Sequence, residues 1–568
     1  MHLWELCFRN TLNFAKPLFT EGFQSFIRIF GLSLLLPLLF SCQSSSSKSE
    51  VNISRAAKDP QPYNILSTRR PTPLQFNELV AMIESPETAQ AAFKKADKLF
   101  TSPFIDNLHY RKHGLPKVRE YERIGPALRI STWNIEKSIR TQEVAEILTS
   151  ADSFRAQLNP ETVAEDDIYQ EALLQRKRLA ETDILLLQEM DLGHCRSNYL
   201  FAAEHLARKL DMNYVYAPQQ LEMDPVYLGL DTVKAADNTI DHTACQALKG
   251  EPANYKGVFG VAVLSRFPIK RVQAFQLRTQ PYDWYSDEME KPDFVEITRR
   301  ETTEGLFHFR PVREVKYGGR GFTRVDLHVP EVPHETISII NVHLEIKTTP
   351  GQRADQVREI LSYIKDIKNP VVMAGDFNSA ARDVSPTSFA RFTSRTATDP
   401  TFLFSAALFT ANITGVNQLR TTLNAGKNYR DPLAPHIPVI FPNKSKELFD
   451  VIRDYRFNDG GAFDFRGDRK RSTHWAGGEL SNSNQRHAIK GYTYTFGVPR
   501  PIGPLGRERL DWIFVKSFLS KPNERKGSYQ LAPHFAETLS LINTTAQNAY
   551  SDHHPITALL PLEEPVLD

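Results

Sequence analysis

Cysteine is scarce in this chain, and its scarcity excludes two classes of protein. Among the 568 residues there are four cysteines, Cys7, Cys42, Cys195 and Cys245. This number is too small for a disulfide-dense scaffold, and no two of them have the CxxC spacing of a zinc site. A single disulfide between Cys195 and Cys245 stays open if the protein is exported, because oxidising compartments permit such bonds.

An excess of charge of one sign is missing as well. The formal net charge is +2, so the chain lacks the global basic field that dominates nonspecific binding to nucleic acid. It also has no internal repeat. The composition, 41% hydrophobic and 24% charged, is that of an ordinary globular protein and predicts a sizeable folded core.

Long apolar runs are confined to one stretch near the amino terminus. Arg28 precedes residues 29–40 (IFGLSLLLPLLF), a run about as long as the apolar part of a signal peptide and too short to span a bilayer comfortably. Ser41, Cys42 and a serine-rich polar stretch follow. This pattern resembles a bacterial lipoprotein signal, which implies export and a mature protein anchored to a membrane through a lipidated Cys42. The alternatives are an ordinary cleaved signal peptide and an uncleaved anchor.

Helix-like and strand-like segments alternate in the rest of the chain. Apolar residues at helical spacing in residues 74–99, interrupted at Ser85 and Pro86, predict two short helices. Further helices are predicted at residues 170–180, 198–210 and 351–367, and strands at 128–133, 183–188, 258–265, 336–344, 371–374, 510–515 and 554–560. This alternation indicates one layered α/β domain.

The predicted organisation is one large domain with extensions. Its parts are a signal segment at residues 1–42, a flexible tether at 43–72, an N-terminal helical extension at 73–126, and a main domain at 127–562 with polar insertions near 211–256, 278–320 and 380–508. The last insertion contains a charge-dense run at 459–471, interpreted as a solvated loop or as a rim that touches an anionic substrate.

Polar residues stand where the predicted strands end. In PVVMAGDFNS, residues 370–379, an apolar strand runs into Asp376 and Asn378, whose side chains point the same way on an extended chain. For this stretch alone, a structural Gly-Asp turn is the alternative. The other strand ends supply Asn134, Glu189, His343, Asp511, Asp552 and His553. Such carboxylates and a carboxamide suit Mg²⁺, and two histidines can exchange protons near neutral pH, so the set indicates metal-assisted hydrolysis of a phosphoester.

Seven short motifs carry these residues in the order ISTWNIE, LLLQEMD, GVAVLSRFPI, INVHLE, VMAGDFN, ERLDWIFV and YSDHHPI. They resemble the successive motifs of the endonuclease/exonuclease/phosphatase superfamily, which includes deoxyribonuclease I, repair nucleases and bacterial sphingomyelinases. The resemblance runs over residues 128–562. It implies an α/β fold of the α+β kind, a four-layer sandwich of two packed mixed β-sheets flanked by helices as in deoxyribonuclease I, with an active site at one edge of the sheets.

The resemblance also implies a metal site. Glu189 matches the principal ligand of the family, Asn134 matches the metal-binding asparagine, and Asp552 matches the aspartate beside the metal. The expected cofactor is Mg²⁺ or Mn²⁺.

Catalytic roles follow for five further residues. Asp376 and Asn378 match the pair that orients the attacking water and the phosphate. His553 matches the general base or phosphate-binding imidazole, and Asp511 the aspartate that orients it. His343 matches the general acid or phosphate ligand found in deoxyribonuclease I and the sphingomyelinases.

Some neighbouring residues have two readings. Arg196 and Asn198 either reach a phosphate or belong to a solvated loop. Glu136 and Lys137 are expected to lie on the surface or behind the ligands, and His554 is expected to pack.

The expected function is a metal-dependent phosphoesterase, a phosphodiesterase or a phosphatase. Its substrate would be an extracytoplasmic lipid head group, nucleotide or nucleic acid, at the periplasmic or cell-surface face of a bacterial membrane, and no protein partner is predicted. The alternatives are an extracellular nuclease and a non-catalytic surface-binding lipoprotein that retains the fold.

Overall fold

Strand-forming sequences with alternating interior residues build two large β-sheets and one small two-stranded sheet in the described part of this protein. The computed structural model describes residues 63–64, 67–122, 125–232, 240, 242–289, 314–379, 445–463, 494–502, 505–516 and 535–562. The strands are β1 (Tyr63–Asn64), β2 (Phe104–Asp106), β3 (Arg119–Tyr121), β4 (Gly125–Asn134), β5 (Ile184–Leu192), β6 (Asn213–Glu222), β7 (Val258–Ser265), β8 (Ile269–Gln276), β9 (Lys316–Gly318), β10 (Gly321–His328), β11 (Thr336–His343), β12 (Val371–Asp376), β13 (Phe496–Ile502), β14 (Leu505–Glu508), β15 (Asp511–Lys516), β16 (Phe535–Thr538) and β17 (Ile556–Pro561).

Helices occupy the connections between these strands. They are α1 (Phe76–Glu84), α2 (Gln90–Phe100), α3 (Leu108–His113), α4 (Thr141–Thr149), α5 (Ala151–Ala156), α6 (Pro160–Ala164), α7 (Asp166–Ala180), α8 (Ala202–Lys209), α9 (His242–Leu248), α10 (Ser286–Met289), α11 (Pro350–Ile364), α12 (Lys446–Asp454) and α13 (Leu541–Thr544). Short 3-10 turns lie at Glu136–Ser138, Cys195–Ser197 and Pro333–Glu335.

Both large sheets are mixed, and β13 pairs with β14 in the small two-stranded sheet. The first has the order β16-β17-β4-β5-β7-β6-β2, with β3 paired to β4 and β9 to β6. The second has the order β1-β8-β10-β11-β12-β15. In each sheet one central pair is parallel, β4 with β5 and β11 with β12, so the carboxyl ends of both members of a pair lie at the same edge.

An aliphatic core fills the space between the two sheets. Every second residue of the central strands points into it, from Leu128 and Ile130 on β4 to Ile337 and Ile339 on β11, and all four are fully buried. Truncating one such residue to alanine costs about 2–5 kcal/mol, so this layer holds the sheets in a fixed relation.

Helices cover the outer face of each sheet. On the first sheet, Trp133 and Leu185 pack with α4, α7 and α8. On the second, Val342 and Phe514 pack with α11 and α12. Helix α11 begins in a capping box, with Thr349 and Gln352 satisfying each other's backbone N–H groups and Pro350 in the first turn. The result is the predicted four-layer sandwich.

The seven predicted strands and five predicted helices all overlap elements of the structure, which also contains strands that were not predicted, such as β8 and β10. The helix predicted at residues 198–210 begins later, at Ala202, because Asn198 and Tyr199 adopt left-handed backbone conformations with φ of 52° and 57°. The two N-terminal helices are confirmed as α1 and α2. The segment predicted as a helical extension also contributes β2, whose Ile105 pairs with Val215 at the edge of the first sheet.

The first predicted insertion is corrected at its start. Residues 213–222 form β6, a strand buried along its whole length within the first sheet. The segment NYVYAPQQLE was assigned to a polar insertion, but Gln219, Gln220 and Glu222 are buried in the fold. The tether predicted at 43–72 likewise ends inside the fold, because Tyr63 pairs with Val272 on β8. Most of the second and third insertions, the signal segment and Cys42 lie outside the described residues.

Two further sequence expectations concern covalent and membrane contacts. Cys195 and Cys245 are not joined in a disulfide. In the parts of the chain that the structure describes, no helix combines the length and the apolar character needed to cross a bilayer.

Candidate active site

A bulge in β5 turns Glu189 toward the gap between the sheets. The residues paired with β7 jump from Leu187 opposite Ala262 to Met190 opposite Gly260, so β5 carries one extra residue. Leu187 and Met190 both pack on the helix side. Gln188 bonds inside the sandwich, and the extra residue, Glu189 with φ of 59°, reaches the mouth of the gap beside it.

Asn134, at the end of β4, connects the two carboxylates of the site. Its Nδ2 donates to Glu189 Oε1 and to Asp376 Oδ2, at 3.1 Å each. Its Oδ1 accepts the backbone N–H of Glu136 at 3.1 Å. The following residues form a left-handed turn in which Lys137 N donates to Glu189 Oε2 at 3.1 Å. Asn134 thus orients both Glu189 and Asp376, with its own oxygen occupied by the turn.

The second sheet delivers three site residues in one row. His343 on β11 pairs with Asp376 on β12, which pairs with Asp511 on β15. Their positions have the parity of the residues that fill the sandwich, so the three side chains enter the gap at its open end. Gly375 is required for this row: its φ is 138°, and a Cβ there would lie 2.0 Å from Val342 O.

Arg320 sets the state of His343. Its Nη1 lies 2.9 Å from His343 Nδ1, so that ring nitrogen must accept, and the ring proton stands on Nε2. Nε2 faces Asp376 Oδ2 at 3.7 Å and Glu189 Oε1 at 3.9 Å. Burial, then Arg320 and His553, lower the pKa of His343 well below its usual value. His343 is therefore a neutral imidazole whose Nε2–H can donate a hydrogen bond.

His553 has the opposite character. Its Nδ1 lies 2.8 Å from Asp511 Oδ2, and its Nε2 faces Asp376 Oδ2 at 3.9 Å. Burial alone would lower the pKa of His553, but Asp511, Asp552 and Asp376 outweigh burial and raise it well above the usual value. The backbone around His553 is fixed as well, because Trp133 Nε1 donates to its carbonyl oxygen at 2.8 Å.

Asp376 is the residue on which the site converges. Its Oδ2 meets side chains from three other segments, Asn134, His343 and His553. Burial raises the pKa of Asp376 to about 7, with His553 opposing and Asp511 adding to the rise. Asp376, Asp511 and His553 offer atoms within 4.8 Å of one another.

Asn378 and Asp552 complete the set predicted from sequence. Asn378, with φ of 45°, donates its backbone N–H to Asp376 Oδ1 at 2.8 Å and its Nδ2 to Leu344 O at 3.0 Å. Asp552 is exposed, and its backbone N–H donates to Glu136 Oε2 at 3.1 Å. All eight predicted residues therefore lie at one edge of the sandwich, although their roles stay predictions.

Glu136 was expected on the surface or behind the ligands, but its carboxylate lies at the cleft, where its Oε2 accepts the backbone N–H of Asp552. Burial, together with the charges of Asp552 and Glu189, raises the pKa of Glu136 to about 7. Its place two residues after Asn134 in ISTWNIE was the available signal, but only the left-handed turn brings its carboxylate back to the cleft.

Gln188 and Asn341 were not predicted from the sequence, and they lie one layer deeper. Gln188 Nε2 donates to Asn341 Oδ1 at 2.7 Å, which connects the two sheets directly. Asn341 Nδ2 donates in turn to Leu187 O at 3.1 Å and Ala262 O at 2.7 Å. These buried amides fix the first sheet against the second below the site.

Arg196 does not face the cleft. Its guanidinium makes a two-bond contact with Asp191, at 2.9 and 2.7 Å, and a third contact with Glu222 at 2.5 Å. Lys316 joins Glu222 at 3.0 Å, so Arg196 belongs to an interior ion network. Both sequence interpretations of Arg196, a phosphate contact and a solvated side chain, are wrong, because the guanidinium is engaged on both sides inside the fold. His554, by contrast, packs edge-on against Tyr494 as expected.

This ion network touches the site through Lys137. Lys137 Nζ lies 2.6 Å from Glu314, and Glu314 lies 2.8 Å from Lys316. The backbone N–H of the same Lys137 binds Glu189. The position of Glu189 is therefore supported from below by alternating charges.

The donor set fits a hard divalent cation. Glu189, Glu136 and Asp552 bring carboxylates together, and burial, followed by the charges of Asp552 and Glu189, raises the pKa of Glu136 to about 7. Oxygen ligands of this kind suit Mg²⁺ or Mn²⁺.

Similarity to known proteins is remote at the level of individual sequences and structures. No curated protein sequence matches the chain. Among solved structures, an endonuclease/exonuclease/phosphatase from Beutenbergia cavernae is 14% identical with a TM-score of 0.32, over 77% of this chain and 72% of that one. An AP endonuclease from Archaeoglobus fulgidus is 13% identical with a TM-score of 0.32, over 76% and 99%. The 3′ phosphatase NExo from Neisseria, bound to product DNA hairpin, is 14% identical with a TM-score of 0.31, over 76% and 98%.

The sequence model of one family matches most of the chain. It is described as the endonuclease/exonuclease/phosphatase family, and the match covers residues 131–553, from the middle of β4 to the histidine beside Asp511. Because this span is more than half of the 568 residues, the chain belongs to the endonuclease/exonuclease/phosphatase family.

Proposed function

We propose that the protein is a metal-dependent phosphoesterase, a phosphodiesterase or phosphatase that hydrolyses its substrate by attack of water. The observation that carries the proposal is the convergence on Asp376 of Asn134, His343 and His553, brought from three other segments to one cleft. Membership of the family supports hydrolysis of phosphoesters as the reaction class.

In this proposal Glu189 is the principal ligand of Mg²⁺ or Mn²⁺, with Asn134 and Asp552 beside it. Glu136 adds a fourth group to this side of the cleft. When bound, the cation neutralises charge on the phosphate and lowers the pKa of water near it. Asn134 Oδ1 accepts the backbone N–H of Glu136, so for this oxygen to ligate the cation that hydrogen bond must break or be shared with the cation.

The protein's own groups handle the proton and the phosphate charge. A carboxyl with a pKa of about 7 is well matched to accept a proton at neutral pH, which favours Asp376 as the group that accepts a proton from the attacking water. His553, kept protonated by Asp511, suits a phosphate-binding imidazolium. His343 supplies a neutral Nε2–H donor, and Asn378 fixes the orientation of Asp376 through its backbone N–H.

The test is hydrolysis by the purified protein of a generic phosphodiester and a generic phosphomonoester, with Mg²⁺ or Mn²⁺. Activity should disappear on chelation and return when the cation is restored. Asp376→Ala and His553→Ala should each lower kcat by about 10²–10⁴-fold, as for other residues that transfer protons or stabilise charge. His328→Ala, which removes a partly exposed histidine of the second sheet, is the control. Full activity in both cleft variants would refute the assignment.

Two alternatives have distinguishable outcomes. An extracellular nuclease would cleave DNA or RNA in preference to lipid head groups and nucleotides in a substrate panel. A non-catalytic binding lipoprotein would bind the cation in a calorimetric titration without turning over any substrate. The gathering of carboxylates with raised pKa values argues against the latter, because buried like charges are costly without a cation.

We also propose that the protein acts outside the cytoplasm, anchored to a bacterial membrane through lipidated Cys42. The support is the sequence pattern of an apolar run, Ser41, Cys42 and a serine-rich stretch. Metabolic labelling with a fatty acid should mark the wild type, and Cys42→Ala should abolish the label and release the protein from membranes. Labelling of Cys42→Ala to the wild-type level would contradict the anchor.

A further inference from the structure

Two histidines and an aspartate form a cluster on the outer edge of the first sheet. His109 and His113 lie one helical turn apart on α3, so their rings share one face, with centroids 4.8 Å apart. Asp211, between α8 and β6, approaches both: its Oδ2 lies 3.5 Å from His109 Nδ1 and 2.7 Å from His113 Nε2. The three atoms lie within 4.8 Å of one another.

The three side chains direct potential metal-ligand atoms, two ring nitrogens and a carboxylate oxygen, toward each other. His109 Nδ1 is shielded from solvent and makes no well-formed hydrogen bond to any residue that the structure describes. Lys112 Nζ stands 3.4 Å from Asp211 Oδ1, which leaves Oδ2 for the two rings. Ligand atoms around a tetrahedral zinc ion, with bonds of about 2.0–2.2 Å, are about 3.4 Å apart, so small side-chain movements suffice to close the cluster on an ion.

The two segments that carry the cluster are already held together. Tyr110 N donates to Asn213 Oδ1 at 3.0 Å, which ties the middle of α3 to the start of β6. Asn107, just before α3, exchanges hydrogen bonds with the backbone of Ile269 on β8. A ligand would therefore enter a site whose backbone is in place before it binds.

This cluster is remote from the cleft. Asn213 pairs with Ser265 on β7, and Ser265 pairs with Ile184 at the start of β5, whereas Glu189 lies toward the other end of that strand. Five residues along β5 and two strands across it correspond to roughly 20 Å. Ligand binding at the two places can therefore be measured separately.

We propose that His109, His113 and Asp211 form a second metal site, for a divalent transition metal of the zinc class. Two imidazoles and one carboxylate select Zn²⁺ or Co²⁺ over Mg²⁺, which prefers oxygen ligands, and they leave a fourth position for water. Such an ion would fasten α3, and with it the edge strand β2, to the turn before β6. The site is thus distinct from the carboxylate-rich cleft in both ligand chemistry and place.

The experiment uses the full-length protein, stripped of metal and held in excess Mg²⁺ so that the cleft carboxylates are occupied. Calorimetric titration with Zn²⁺ should show one equivalent in the wild type. His113→Ala removes a half-exposed ligand and should weaken this equivalent about tenfold or more, as loss of metal-site interactions does elsewhere. Asp211→Asn should also weaken it while keeping the left-handed backbone at that position, which asparagine tolerates.

Controls separate this site from the cleft. His328→Ala should bind Zn²⁺ as the wild type does, and His113→Ala should hydrolyse phosphoesters at the wild-type rate. With Co²⁺ as the probe, the intense visible absorption of a low-coordinate nitrogen-ligated ion should be present in the wild type and absent in His113→Ala. Equal Zn²⁺ affinity in the wild type and His113→Ala, or a Zn²⁺ equivalent that is lost in Glu189→Ala instead, would overturn the proposal.

Discussion

Replacing Arg196 by methionine should destabilise the protein far more than replacing a surface arginine. Arg196 is 13% exposed, and its partners Asp191 and Glu222 are 0% and 1% exposed. The substitution keeps most of the side-chain volume but leaves Asp191 without either guanidinium bond, while Glu222 keeps Lys316 at 3.0 Å. Removing one partner of a buried ion pair costs about 3–5 kcal/mol, and we expect a loss in this range.

Arg208 offers a matched control on α8. It contacts Glu204 at 2.6 Å, much as Arg196 contacts Glu222, but it is 58% exposed. A surface pair contributes about 0–1 kcal/mol, so Arg208→Met should lower the free energy of unfolding by no more than that. The measurement is urea denaturation of each variant under the same conditions. A loss for Arg196→Met within about 1 kcal/mol of the loss for Arg208→Met would refute the reasoning.

The pH dependence gives this prediction a second arm. In the wild type, burial would raise the pKa of Glu222, but Arg196 and Lys316 hold it well below its usual value. Glu222 therefore contributes stability that is present above its unfolded pKa and is lost as the pH falls through the folded one. In Arg196→Met, Asp191 is left without its partner and takes up a proton instead. The loss of stability should therefore become smaller as the pH is lowered from about 8 to about 5. The double variant Arg196→Met/Asp191→Asn should recover part of the loss at neutral pH.

Three other predictions concern the cleft itself. Gly375→Ala places a Cβ 2.0 Å from Val342 O at a φ of 138°, so it should lower the free energy of unfolding, measured by denaturation, by at least about 1–3 kcal/mol. The control Gly114→Ala, at a φ of 73° with open space around it, should lower it less. Arg320→Met removes the donor to His343 Nδ1, so kcat should fall about tenfold or more, whereas the affinity of the protein for the metal ion should change little. An unchanged kcat would contradict the assigned tautomer. Burial and acidic neighbours raise the pKa of Glu136 to about 7. With a chelator present, the wild type should therefore lose stability relative to Glu136→Gln as the pH rises from about 4.5 to about 7. With Mg²⁺ present, the wild type should instead be the more stable of the two.

The sequence predicted the elements of the site better than their arrangement. Strand periodicity placed β7 at residues 258–265, and the position of Asp376 at a strand end followed from the apolar run before it. The bulge at Glu189 could not be predicted in this way. DILLLQEMD reads as a continuous apolar strand, and the extra residue is visible only from the pairing of Leu187 and Met190 with β7, which depends on residues far along the chain.

Arg196 illustrates the same limit for charges. A loop arginine shortly after the predicted metal ligand Glu189 fits a phosphate contact as well as a solvated side chain, because composition does not reveal burial. Arg196 contacts Asp191 and Glu222, and Glu222 lies on β6, in a segment that was interpreted as a polar insertion. Buried charge requires a partner of opposite sign, and one of the two partners of Arg196 lay in that segment, so its interior position was not apparent from the sequence.

Polar contacts between the sheets hold the site residues of the first sheet in a fixed position relative to those of the second. Asn134 and Glu189 belong to the first sheet and Asp376 to the second, and the 3.1 Å bond from Asn134 to Asp376 crosses the sandwich. Aliphatic packing alone resists separation of the sheets but resists sliding less, since dispersion contacts are weakly directional. The bond of 2.7 Å between Gln188 and Asn341, both buried, opposes sliding because an offset would leave two amides unsatisfied. The motifs LLLQEMD and INVHLE thus each supply a cleft residue and, one or two positions earlier, the amide that aligns it.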